Sequence, residues 1–305
     1  MGKELEVNIG RLKLKNPVIA ASGTFGYEQG YQDLIDAREL GAVVSKSITL
    51  KPYEGNPPPR ICETTAGMLN SIGLQNEGVE DFIADKLPAL KANSLKVIVS
   101  IAGKRQQDYR ELAKILDKTS ADAIEVNISC PNVEHKSSAR LFSQDPADTA
   151  SIIRSVKRQT NKPVIAKLSP NITDITLIAR AAERAGADAL SMINTLIGMD
   201  VDIISKKPRL GNITGGLSGP AIKPVALRMV WDVYHCVKIP IIGIGGIMDT
   251  EDAIAFFLCG ATAVQVGTAN FVNPHAASDI IKGLNMYLQK QNLKNITGLV
   301  GSLKV

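Results

Sequence analysis

Lysine, asparagine, cysteine and glycine recur at the ends of short apolar runs along this chain. Ser45-Lys46-Ser47 closes one run and Lys167 closes another. Asn127-Ile128-Ser129-Cys130-Pro131-Asn132 closes a third, and Asn194-Thr195 a fourth. Ala21-Ser22-Gly23 and Ser100 end two more, and Gly243-Ile244-Gly245-Gly246 and Gly267-Thr268 end the last two. Glycine lets backbone N–H groups approach an anion, so the two glycine turns suit a phosphate. A lone lysine at a strand end is more often a snorkelling stem. Lys46 and Lys167 on one mouth would instead neutralise a carboxylate or a developing anion. Cys130 is either a small buried hydrophobe or a reactive thiol. A nucleophile would want a histidine partner. His135 follows in the polar loop Val133–Phe142, a candidate lid, but the local pattern is not that of a cysteine hydrolase. A thiolate acting as general base fits as well.

Asn70, Asn76, Asn127, Asn132 and Asn194 each offer a donor beside an acceptor. A ring with alternating C=O and N–H groups, such as a pyrimidine-dione, would match them. A single asparagine more often fills a turn or a cap. Cys62, Cys236 and Cys259 carry no polar constellation, and no cysteine spacing suits a metal or cluster motif.

These residues need elements to hold them. The apolar, β-branched runs are Val18–Ala20, Ala42–Ser45, Val97–Ile101, Ala123–Ile128, Val164–Leu168, Ala189–Ile193, Ile241–Ile244 and Ala263–Val266. They lack in/out alternation, as strands buried on both faces should. Helical patterns lie between them: Asp108–Lys118, Pro146–Gln159, Ile172–Ala185, Pro220–Tyr234 and Thr250–Leu258. Asp145 before Pro146 is an N-cap with a first-turn proline. Gly186 and Gly260 end helices at what looks like one helix-to-strand joint used twice. Alternating β and α units predict an α/β fold, a (β/α)8 TIM barrel, ahead of a doubly wound open sheet. With no linker visible, residues 1–305 are expected to form one domain. The segments Ile48 to Glu77 and Thr195 to Gly219 are too long for plain loops. They predict insertions at the C-terminal face of the strands, where barrel active sites lie.

Composition narrows the class. Hydrophobic residues make up 45% and charged ones 21%, which excludes disorder. A net charge of +5 suits small anions without demanding nucleic acid, and few aromatics are present to stack bases. Ala253–Ser278 lacks Asp, Glu, Lys and Arg, but its glycines, asparagines and Pro274 read as a helix end, a turn, a strand and a loop, not a membrane span. No signal peptide is visible at the N-terminus, so a cytoplasmic protein is expected.

Asn70-Ser71-Ile72-Gly73-Leu74-Gln75-Asn76, Asn127-Ile128-Ser129-Cys130-Pro131-Asn132 and Ile241-Ile242-Gly243-Ile244-Gly245-Gly246 together resemble the motifs of dihydroorotate dehydrogenases, from about Val18 to Thr268. Gln75 and the run Gly215–Pro224 are similar to the NAD-linked, heteromeric branch of the soluble class. Ser100 stands where that branch usually has Asn and the fumarate-using homodimeric branch often has Ser. That homodimeric branch, and the dihydropyrimidine dehydrogenases that share the Ser-Cys-Pro-Asn turn, are the alternatives.

The resemblance implies an FMN-dependent oxidation of dihydroorotate to orotate in pyrimidine biosynthesis. It implies that Cys130 is the base that takes the C5 proton while hydride leaves C6 for the flavin. Lys167 would sit at the flavin N1–C2 edge, and Lys46 would contact both flavin and substrate carboxylate. Asn70, Asn127, Asn132, Asn194 and Thr195 would hold the substrate ring, lined by Ser71, Ile72, Gly73 and Leu74. Ser22, Ser47, Ser100, Asn127, Ile193 and Gly219 would touch the flavin. Gly245, Gly246, Gly267 and Thr268 would cradle its phosphate. No metal is expected. A homodimer core with an electron-transfer subunit carrying FAD and an iron–sulfur cluster is the implied assembly, because this chain shows no second nucleotide-binding signature.

Overall fold

A computed structural model describes residues 3–25, 37–92, 94–129 and 142–305. Cys130, Asn132 and the Val133–Phe142 lid, except Phe142 itself, lie outside the described residues.

Each of the eight expected runs forms a strand within a residue or two of its expected limits. In chain order, counting two N-terminal strands, they are β3 (Val18–Ala20), β4 (Ala42–Val44), β7 (Val97–Ile101), β8 (Ala123–Asn127), β9 (Val164–Lys167), β10 (Ala189–Met192), β15 (Ile241–Ile244) and β16 (Ala263–Val266). They close into one parallel barrel in sequence order, with β16 hydrogen-bonded back to β3. Every residue of these strands is buried. One face packs into the barrel and the other against the helices, which removes the pressure for alternation.

The outer layer comprises α3 (Gln106–Asp117), α4 (Pro146–Lys157), α5 (Ile175–Arg184), α6 (Lys223–Tyr234), α7 (Thr250–Leu258) and α9 (Ala276–Lys290), with shorter α1 (Val79–Asp81), α2 (Leu87–Ala92) and α8 (Ala269–Val272). Asp145 caps α4, its carboxylate accepting from Ala147 N and Asp148 N. The two joints read as one motif are one motif. Ala187 N bonds Ala182 O and Gly186 N bonds Glu183 O; Ala261 N and Gly260 N repeat this with Phe256 O and Phe257 O. Both are Schellman turns with glycine at positive φ. The uncharged stretch Ala253–Ser278 divides among α7, β16, α8 and the start of α9. Among the described residues no helix is long and apolar enough to cross a membrane.

Two features exceed what the sequence reading expected. An antiparallel hairpin, β1 (Val7–Ile9) and β2 (Leu12–Leu14), buries Val7, Ile9, Leu12 and Leu14. Its turn abuts Asp188 at the foot of β10, so it closes the N-terminal end of the barrel. The two long connections are not loops. The first supplies β5 (Ile61–Thr64) and β6 (Gly67–Asn70). The second supplies β11 (Leu196–Met199), a two-stranded ladder of β12 (Val201–Asp202) with β13 (Lys207–Pro208), and β14 (Thr214–Ser218). β11, β14, β6 and β5 then pair into a single antiparallel sheet. Each insertion folds as its own hairpin, β5 with β6 and β11 with β14, and the β6–β14 pairing joins the two into one sheet.

Candidate active site

The strand ends bring Ser47, Ser100, Asn127, Lys167 and Asn194 to one mouth. Asn127 on β8 pairs in register with Lys167 on β9, and Lys167 with Ser191 on β10. Strand neighbours in register share a face, so these side chains form one layer.

Asn127 organises one side of it. Its Nδ2 donates to Ser47 Oγ at 2.8 Å, and Ser47 Oγ lies 2.9 Å from Ser100 Oγ. Its Oδ1 accepts from Ser129 Oγ at 3.2 Å, and Asn194 Nδ2 donates to Ser129 Oγ at 2.9 Å. Asn194 Oδ1 in turn accepts from Thr195 N at 2.7 Å. Five expected site residues, Ser47, Ser100, Asn127, Asn194 and Thr195, thus belong to one network. An amide nitrogen carries two hydrogens, so among the described residues Asn127 and Asn194 each leave one N–H unused. Tyr109 OH donates to Asn127 O at 3.0 Å and fixes the strand end from outside.

Lys167 is buried, with Nζ 3.6 Å from Glu125 Oε1. Glu125 was not among the expected site residues. Its signal was a lone carboxylate inside the apolar run Ala123–Ile128, and Gln265 inside Ala263–Val266 was the same kind of signal. Lys46, half-buried, is pushed below the ordinary lysine range by burial; Glu77 opposes that shift and Arg60 adds to it.

The inserted sheet roofs this layer. Asn70 Nδ2 donates to Gly216 O across the β6–β14 ladder. Ser71 is fully buried and accepts from Asn56 Nδ2 at 2.8 Å. Asn56 N also bonds Ile72 O, which fixes the turn through Gly73 and Leu74, both at positive φ. Asn76, one of the amides considered for a ring, is a structural clasp. It donates to Thr49 Oγ1 and Leu74 O and accepts from Thr49 N and Gly78 N.

The glycine turns lie beside α6. Gly245 and Gly246 have φ +128° and +71°. A Cβ at Gly246 would sit 2.8 Å from Lys223 Cβ and 2.9 Å from Gly219 O, so only glycine admits this approach. A Cβ at Gly267 would make ordinary van der Waals contact with Ala21 Cβ at 3.6 Å and Thr24 Cγ2 at 3.7 Å, so this turn packs against the segment after β3. Thr268 Oγ1 donates to Ser218 Oγ at 2.8 Å, which ties the end of β16 to β14 and Gly219. Ser22 follows β3 alongside, and Ile193 is buried after β10. Lys223, named in the sequence analysis only within the run Gly215–Pro224, lies beside Gly246 and is paired with Asp252. Its hydrogen bond with Asp252 raises its pKa, so it stays charged. Positive-φ glycines that admit close backbone approach, beside the Lys223–Asp252 pair, suit a phosphate.

A cleft of about 590 Å³ opens at the other end of the barrel, between the hairpin and the feet of the strands. Its cations are engaged: Lys13 with Glu6, Lys96 with Asp122, Arg11 with Asn161 O and Lys15 with Arg38 O.

The dihydroorotate dehydrogenase family model matches residues 4–288, the barrel and both insertions together. The chain belongs to the dihydroorotate dehydrogenase family. It is 54% identical to the "Dihydroorotate dehydrogenase B (NAD(+)), catalytic subunit" of Caldicellulosiruptor bescii over 99% of both chains. Proteins of the same description from Geotalea daltonii and Pelobacter propionicus are 53% and 52% identical, over 99% and 100% of both chains. For a dihydroorotate dehydrogenase family member, a mouth of amides, hydroxyls and a buried lysine beside a phosphate-fitting turn is a coherent arrangement.

Proposed function

We propose that this chain oxidises dihydroorotate to orotate with FMN as hydride acceptor, and that it is the catalytic subunit of an NAD-linked enzyme in the cytoplasm. The layer of Asn127, Lys167 and the Ser47–Ser100 pair, set beside the Gly245–Gly246 and Gly267–Thr268 turns, carries this reading. Bound FMN would supply the two-electron chemistry that no side chain here can perform.

The chain's own residues would do the rest. Gly245, Gly246, Gly267 and Thr268 would hold the phosphate, with Lys223 adding positive charge beside them. Ser22, Ser47, Ser100, Ile193 and Gly219 would line the ring system, and Lys167 would face its N1–C2 edge. Lys46 would pair with the substrate carboxylate. Asn70, Asn127, Asn132, Asn194 and Thr195 would hold the substrate ring over the Ser71–Leu74 turn. Cys130 would take the C5 proton. The Ser100 hydroxyl, already held by Ser47, would offer the flavin one hydrogen bond.

The relatives' shared description as a catalytic subunit supports a partner, proposed to carry FAD and an iron–sulfur cluster, with two copies of this chain at the core. The second insertion exposes Ile197, Met199, Ile203 and Ile204, apolar surface of the kind subunit contacts cover. The test is a visible spectrum of the purified chain before and after anaerobic addition of dihydroorotate. Bleaching of bound flavin is expected; a colourless protein, or flavin that stays oxidised, refutes the reading.

A further inference from the structure

Glu125 is a carboxylate at the centre of the barrel, with no exposed surface. Burying an ionised carboxylate is costly unless charge and hydrogen bonds compensate it, and a buried ion pair seldom adds net stability over apolar packing. A residue of this kind calls for a reason other than folding. Its two oxygens are used differently. Oε2 accepts from Ser191 Oγ at 2.9 Å and from Gln265 Nε2 at 3.0 Å, so β10 and β16 hold the carboxylate in one orientation. Among the described residues Oε1 has no hydrogen-bond partner, and it faces the Lys167 ammonium at 3.6 Å.

The strand register places the pair in depth. Glu125 is level with Ile165, while Lys167 is level with Asn127, two residues further toward the mouth. The carboxylate therefore lies beneath the ammonium, on the side away from the ligand space. At 3.6 Å the contact is Coulombic; it is too long for a hydrogen bond of ordinary strength. The N–H donors of Lys167 are not spent on it.

We propose that Glu125 is a positioning residue that acts through Lys167, holding the ammonium at the floor of the flavin site while offsetting part of its positive charge. The inference rests on the FMN reading above. Lys167 alone would strongly favour the negative charge that reduction places on the ring. The Glu125–Lys167 pair is neutral overall, so that pull is moderated. Glu125 then lowers the flavin's midpoint potential and makes onward electron donation easier.

The test measures the FMN midpoint potential by anaerobic dye equilibration, with flavin content and melting temperature recorded for each variant. Lys167→Met should lower the potential. Glu125→Gln keeps the shape and removes the charge, and should raise it. The expected rise is about tenfold in the reduction equilibrium, which is about 30 mV for a two-electron couple. Glu125→Asp, which withdraws the carboxylate by one methylene, should raise it less, and it serves if Glu125→Gln does not fold. A merely structural role would leave the potential unchanged while lowering the melting temperature. An unchanged or lowered potential in the folded, flavin-loaded Glu125 variants overturns the role of Glu125 alone. Wild-type protein that holds no FMN, or whose FMN dihydroorotate does not reduce, overturns the parent reading and this inference together.

Discussion

At the residue scale, the proposed chemistry needs a base and an anion anchor. Cys130→Ala should keep FMN and orotate but lose reduction of the flavin by dihydroorotate, by about 10²–10⁴-fold, the usual share of a positioned base. Anaerobic stopped-flow decides it; a wild-type rate would remove Cys130 from the mechanism. Lys46 carries a pH dependence of determinate sign. Burial lowers its pKa, and Arg60 adds to that against Glu77. The binding-competent ammonium is the protonated form, so it is lost at a lower pH than an ordinary lysine loses it. Orotate affinity should therefore decline as pH rises, beginning below the usual lysine range near 10.4. Glu77→Gln removes the one opposing charge and should move the decline to still lower pH. Titrations of orotate against the flavin spectrum at several pH values would show it.

At the element scale, the inserted sheet decides how the site closes. A Cβ on Gly216 would overlap Thr195 Oγ1. Gly216→Ala should displace Thr195 and weaken orotate by up to about tenfold, the worth of a hydrogen bond, with FMN content unchanged. Unaltered orotate affinity would mean Thr195 does not touch the substrate.

Asp122 serves the opposite end of the barrel. It accepts from Lys91 Nζ at 2.7 Å, Lys96 Nζ at 2.9 Å and Val97 N at 2.9 Å. Burial works to raise its pKa, but these partners prevail and hold it below the ordinary carboxylate range. Its stabilisation is fully present above the unfolded value near 3.9 and is lost as pH falls from there through the folded value. Asp122→Asn should cost about 1–3 kcal/mol at neutral pH by denaturant melts, and the difference from wild type should shrink in acid.

At the scale of the whole molecule, electrons must leave the barrel. The proposed partner predicts that the isolated chain bleaches its flavin with dihydroorotate and reduces artificial dyes but not NAD. Direct NAD reduction by this chain alone would show that no relay subunit is needed. Steady turnover with fumarate would place the chain in the homodimeric branch instead.

The reach of the sequence followed the range of the forces involved. Strand limits, the Asp145 cap and the paired Schellman turns depend on neighbours a few residues apart, so Val18–Ala20, Thr250–Leu258 and the Gly186 and Gly260 joints were legible directly. Eight buried runs alternating with helical segments left closure into a barrel as the economical solution, and closure put Asn127, Lys167 and the glycine turns on one mouth.

The four-stranded roof was not legible. β14 is polar and glycine-rich, and the β6–β14 pairing that makes one sheet of the two insertions joins segments far apart in the sequence. Asn76, weighed as a ring-matching amide or a turn residue, spends its hydrogen bonds on its own turn and on distant Thr49. Glu125 is a lone carboxylate in an apolar run that the sequence analysis passed over, and its partners stand on β9, β10 and β16. Only the register of a closed barrel brings those strands to one depth, because parallel ladders convert sequence separation into contact through hydrogen bonds that no local pattern encodes.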